Sequence, residues 1–191
     1  MHPHIVGPPV GTGAALLAAA AQPRRFLSLI VGTGAAAVPL QLGDPLRERV
    51  FAPDFEPYRR LGGRPIVERA IQTLERYEIS DAAREDYLAS YEGNRFAGSM
   101  RYVQSYPTDL AIFSAVLPQI QTPVQIIADR RDRVVLPVNA EYHHGGLPRS
   151  ELHLIDSGHF AWEDAADEYA GLVTAWWTDG YKSCGKSNPS F

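Results

Sequence analysis

The chain has 191 residues, 45% apolar and 21% charged, with a net charge of −4 at neutral pH, which suits one domain with a sizeable core. Its basic clusters (Arg24 and Arg25, Arg59 and Arg60, Arg130 and Arg131) are scattered rather than striped, so no nucleic-acid partner is expected. The single cysteine, Cys184, sits in a polar tail; it excludes a disulfide framework and a cysteine-based zinc site and makes a reducing, cytoplasmic setting the expectation.

In chain order, His4 to Gly7 reads as the tail of a strand, Pro8 to Gly13 as a turn, and the following alanine-rich run as a helix ending near Gln22-Pro23. Thr12 is expected to cap that helix. The run Ala14 to Ala21 is too short to span a bilayer and lacks a basic flank, so neither a leader nor a membrane segment is expected. Leu27 to Val38 is interrupted by Gly32 and Gly34 and is also short for a span. Arg25 to Val31, rich in large apolar side chains, reads as a second strand. Strand, glycine-bearing turn, helix, strand is a βαβ unit.

The middle of the chain has another texture. Prolines at 45, 53, 57, 65 and 107 divide it into short pieces whose periodicity is helical. Ile66 to Tyr77 carries an apolar stripe, Ser80 to Tyr91 opens on a polar cap with acidic residues near its first turn, and Asn94 to Ser105 and Leu110 to Leu117 complete the set. A helical block between strands of a parallel sheet is a lid over the crevice. It is rich in tyrosine: Tyr58, Tyr77, Tyr87, Tyr91, Tyr102 and Tyr106.

Two further apolar runs follow, Pro123 to Ala128 and Leu152 to Ile155, joined by a crossover helix from Pro137 to His144 that Gly145 and Gly146 should end. Short apolar strands joined by helix-length connections indicate a parallel α/β sheet. Groups beyond the carboxyl ends of such strands face one crevice, so Asp129 or Asp132 and His159 are expected to meet there. The two carboxylates would oppose each other's ionisation unless a nearby arginine intervenes. The adjacent His143 and His144 diverge on a helix, make no metal site and are expected at the surface. Ala161 to Trp177 reads as a helix, with Phe160, Trp162, Trp176 and Trp177 as core and docking residues, and 179–191 as a disordered tail.

The order strand, Asp129-Arg130-Arg131-Asp132, helix, strand, Gly158-His159-Phe160-Ala161-Trp162-Glu163 resembles the end of an α/β-hydrolase, and within it the epoxide hydrolase and haloalkane dehalogenase group. The resemblance implies that Asp132, with Asp129 in a place usually held by glycine, orients His159, and that His159 activates a water. It also aligns the nucleophile elbow, G-x-Nuc-x-G, with Gly7-Pro8-Pro9-Val10-Gly11, so the nucleophile position holds Pro9. Proline offers no attacking atom, and its fixed φ is ill suited to a strained elbow.

What the resemblance implies for the whole chain is an α/β fold, a partial α/β-hydrolase matching only the back half. Residues 1–40 would begin the core, 41–121 form the helical cap, 122–178 carry the acid and histidine, and 179–191 trail off. Cap phenols, Tyr77, Tyr87 and Tyr102 first among them, would donate to an epoxide oxygen. The expectation is a truncated, epoxide hydrolase-like enzyme, impaired by Pro9 and needing no cofactor or metal. Its alternatives are a haloalkane dehalogenase-like activity, a non-catalytic scaffold, or one half of a split hydrolase. The expected partners are a small apolar substrate and, at the exposed sheet edge, a second copy or a complementing front-half chain.

Overall fold

The computed structural model describes residues 2–184. Four parallel strands lie in the order β1 (His4–Gly7), β2 (Ser28–Val31), β3 (Val124–Asp129), β4 (Ser150–Ile155). Their register pairs His4 with Ser28, Leu29 with Val124, and Val124 with Ser150. Alternation along the strands builds two cores. Leu29, Val31, Val124, Ile126 and Ala128 pack with Leu16 of helix α1 (Gly11–Ala21) and with Ala140 of the crossover helix, here α8 (Val138–Gly146). Ile30, Ile127 and Ile155 face the other way, onto Trp176 and the carboxy-terminal helices. Helices therefore cover both faces, as a parallel sheet requires.

Between β2 and β3 the chain leaves the sheet for an all-helical block. It comprises α2 (Leu46–Val50), α3 (Glu56–Leu61), α4 (Gly63–Ile71), α5 (Asp81–Ser90), α6 (Arg95–Gln104) and α7 (Tyr106–Val116). Ser80 caps α5 as expected, its hydroxyl accepting from the Ala83 amide at 3.3 Å. Ile66, Phe96 and Met100 give the block a small core of its own.

Several expectations shift. The helix expected over Ile66–Tyr77 stops at Ile71, because the amides of Glu75 and Arg76 are taken by the Asp164 carboxylate at 3.0 and 3.0 Å. A charged acceptor of this kind outweighs one more turn of helix. The helix expected over Ala161–Trp177 breaks into α9 (Ala161–Asp164) and α10 (Ala166–Ala175), with Ala165 non-helical between them. Beyond Ala175 the backbone widens into a π-helical segment over Trp176–Gly180 that buries Trp176 and lets its indole N–H donate to Ser28 Oγ at 2.9 Å. Trp177, expected in the core, is exposed at the surface beside the His4 ring.

The expected tail of 179–191 is helical at its start, through Tyr181–Ser183, and Cys184 is buried rather than held in a polar tail; the rest of the tail lies outside the described residues. His143, expected at the surface, is buried against Phe113, and half-buried His144 bonds Ser150 Oγ at 2.9 Å. Thr12 does not cap its helix. Its buried hydroxyl lies 3.0 Å from Gly7 O and 2.9 Å from Gly32 O and accepts the Gly32 amide at 3.1 Å, tying the ends of β1 and β2 together. Among the described residues no helix is long and apolar enough to cross a membrane.

Candidate active site

The acid and histidine meet. Asp132 lies in the loop after β3, with one carboxylate oxygen accepting the amides of Val134 and Val135 at 2.7 and 2.9 Å. Such a self-closed loop is what a short carboxylate side chain favours. The other oxygen is 2.8 Å from His159 Nδ1. The Asp132 side chain is 1% exposed and that of His159 14%, so the pair is shielded while the ring keeps a face to solvent. A carboxylate at Nδ1 fixes the tautomer with the proton there and leaves Nε2 with its lone pair. No described residue hydrogen-bonds Nε2.

Gly158, just before the histidine, lets the cap approach: a Cβ there would sit 3.7 Å from Thr73 O and from the Glu75 and Asp164 carboxylates. Around it the cap is fastened to both loops of the crevice. Asp164 accepts the two cap amides, Arg131 pairs with Glu75 and Asp156, and Arg76 donates to Asp156 O at 3.0 Å. Tyr87 adds a bond to Glu163 at 2.6 Å. Sequence reasoning missed Asp164, Ser157 and this fastening, because the partners are far apart in the chain.

Asp129 ends β3 beneath the pair. It is 1% exposed, one oxygen accepting the Ser157 hydroxyl at 2.5 Å and the other without a partner. Burial pushes its carboxyl up to about 7, the Ser157 bond opposing and the Asp132 charge adding to the rise. Of the two acids it is Asp132 that reaches His159.

The turn between β1 and α1, where the elbow is expected, holds Pro9, which offers no attacking atom. The Thr12 amide donates to Pro9 O at 3.2 Å and Val10 is already helical, at φ −63° and ψ −35°. Gly7 is held to glycine by packing, since a Cβ would stand 2.7 Å from Gly11 O. Three strand spacings, about 14 Å, separate β1 from β4 at sheet level, so the His159 loop must lean back across the sheet to serve the elbow. Two of the three cap phenols singled out already have partners, and the third faces solvent. Tyr102 donates to Val10 O at 3.0 Å, Tyr87 is bound to Glu163, and Tyr77 is exposed. Among the described residues no cluster of His, Cys, Asp and Glu could hold a metal.

A parallel sheet with helices on both faces, and an all-helical cap inserted between its strands, is the α/β-hydrolase architecture. No protein-family model matches the chain. A curated relative from Pseudomonas putida, 2-hydroxy-6-oxononadienedioate/2-hydroxy-6-oxononatrienedioate hydrolase 2, is 29% identical over 89% of this chain and 60% of its own length. Among solved structures, 2-hydroxy-6-oxo-6-phenylhexa-2,4-dienoate hydrolase from a Rhodococcus species aligns with TM-score 0.67 at 19% identity, covering 92% of this chain and 63% of that one. An esterase from Exiguobacterium antarcticum aligns with TM-score 0.73 at 15% identity, over 91% and 66%. The chain thus spans about 60% of the length of its curated relative.

These likenesses correct the reading made from the motifs. They lie with meta-cleavage product hydrolases and esterases, not with epoxide hydrolases or haloalkane dehalogenases, so epoxide or haloalkane hydrolysis is withdrawn. The back-half resemblance is corrected as well: the likeness runs over about nine-tenths of this chain, not a carboxy-terminal part of it alone, while spanning 60 to 66% of the matched proteins. The physical reason for the first error is local. The acid and histidine motifs are shared across the fold, and the position expected to separate carboxylate from serine chemistry is Pro9, which carries neither group.

Proposed function

We propose that this chain is a small-molecule hydrolase of the serine-hydrolase and esterase kind in which the acid–base half of the relay acts without the covalent half. Asp132 holds His159, and His159 Nε2 takes a proton from water as that water attacks a carbonyl carbon. Residues 1–40 and 122–178 form the core in this reading and 41–121 the cap that closes over the substrate. The observation that supports it best is the 2.8 Å contact between His159 Nδ1 and a carboxylate itself fixed by two amides. Pro9 removes the acyl-enzyme route, so one difficult step is not divided into two easier ones.

The substrate class is a small carbonyl compound, an ester or an oxo-acid of the type named for the Pseudomonas relative. A cytoplasmic location goes with this reading, and a second copy of the chain, added at the outer edge of β1, is the macromolecular partner it takes.

The test is hydrolysis of activated aryl esters under single-turnover and steady-state conditions. Slow turnover without a burst is expected, lowered by about 10²-fold or more in His159→Ala, the scale of general-base catalysis. Burst kinetics with a trapped acyl group would place a nucleophile elsewhere in the chain and overturn the proposal.

A further inference from the structure

The relay as described uses Asp132 and His159 and leaves Asp129 without a task. Yet Asp129 is among the most deeply placed polar groups in the protein. It closes β3, where Ile155 pairs with it across the sheet, and its carboxylate binds the hydroxyl of Ser157, itself 0% exposed. Ser157 belongs to the loop that carries His159, two residues on. Two more bonds hold that loop to the acid loop: the Arg130 amide donates to Ile155 O at 2.8 Å and the Arg131 amide to Ser157 O at 3.0 Å. Asp129 and Asp132 therefore grip the histidine loop at two points, one through Ser157 from below and one at the imidazole.

The charges around Asp129 make this grip sensitive to its proton. On its own loop it faces Asp132; from the loop after β4, His159 with Ser157; from α9, Asp164; from α10, Tyr169. The nearby arginines are engaged outward, Arg131 with Asp156 and Glu75 and Arg130 with Leu154 O. The Tyr169 hydroxyl and the second Asp129 oxygen are both buried without a partner. Burial, with the charge of Asp129 adding to it, pushes the Tyr169 phenol up to about 12. A buried carboxylate facing two others, with no cation but a protonated His159, is costly when ionised.

We propose that Asp129 is a protonatable positioning residue for His159: ionised, it is the stronger acceptor and draws in the Ser157 hydroxyl and with it the 156–159 loop, and protonated, it relaxes that hold and loosens the Asp132–His159 geometry. The burial that pushes its carboxyl up to about 7 sets this change within the neutral range. The proposal rests on the reading of His159 as the base, but its test needs no turnover.

The full-length chain, labelled with ¹³C at aspartate carboxyls and with ¹⁵N, is titrated by NMR from pH 5 to 9. One carboxyl signal should titrate with a midpoint near 7, and the Ser157 and Gly158 amides and the His159 Nδ1–H signal should move with that midpoint. Asp129→Asn should remove the carboxyl step and the matching loop movement. Ser157→Ala, which takes a donor from the carboxylate, should move the midpoint upward; it also serves if the asparagine variant does not fold. The absence of any aspartate titrating between pH 6 and 8 would overturn the proposal. So would a step at Asp129 that leaves the Ser157–His159 signals still, which is the behaviour of a buried structural acid. Failure of ester hydrolysis with these steps intact would count against the proposed function alone.

Discussion

Asp129 and His143 are buried ionisable residues with opposite pH signatures. Burial pushes the Asp129 carboxyl up to about 7 from 3.8, and the His143 imidazole down to about 4 from 6.5. Asp129 binds its proton better folded than unfolded, so its contribution is most favourable below about pH 4 and stability falls as pH rises towards 7. His143 binds its proton better unfolded, so stability rises with pH between about 4 and 6.5. At about 1.4 kcal/mol for each tenfold change in proton affinity, the effects are on the order of 4 to 5 kcal/mol for Asp129 and 3 to 4 kcal/mol for His143, and over their shared window they oppose each other. Urea denaturation between pH 4 and 7 should therefore show a rise with pH in Asp129→Asn and a fall in His143→Leu, with the unaltered chain flatter than either. Equal slopes in all three would refute the assignment. The pairing of Asp132 with His159 is legible in the sequence because both residues follow apolar runs that must be adjacent strands. The burial of His143 is not, since helical spacing alone does not say which of two adjacent histidines turns inward.

At the scale of elements, the strands and most helix starts follow from apolar runs, prolines and caps, and helix ends do not. The apolar stripe of Ile66–Tyr77 continues past the end of its helix at Ile71 because Asp164, which takes the amides of Glu75 and Arg76, lies 88 or 89 positions away. The same carboxylate sits where the last long helix is interrupted and joins the cap to the histidine loop. Asp164→Ala should raise hydrogen exchange at the Glu75 and Arg76 amides by about ten- to a hundredfold, the effect of losing bonds to a charged acceptor at about 1.5–3 kcal/mol. The amides of β2 and β3 should keep their rates. Unchanged exchange at 75 and 76 would show that the cap is held there by packing alone. The branch of the fold is the least legible feature, since the position that would announce it holds a residue with no reactive atom.

At the scale of the whole molecule, β1 pairs only with β2 among the described residues, and Val6 on it is 40% exposed. Val10 and Leu17, from the turn and helix that follow, are exposed too. An open strand edge beside apolar side chains is a template for pairing. Sedimentation velocity across the micromolar range should show concentration-dependent association, and Val6→Lys should shift the chain towards monomer; a monomer at every concentration would exclude the edge as a contact. The turn behind this strand has a chemical consequence. Pro9 has let the chain enter α1 by an ordinary helical Val10, the cap phenol of Tyr102 rests on the Val10 carbonyl, and Gly7 stays closely packed on Gly11. Pro9→Ser would place an oxygen at the turn without the backbone that aims it. A nucleophile placed at this turn would therefore need the turn rebuilt and a cap residue lifted together, so a single substitution at position 9 should give no covalent intermediate.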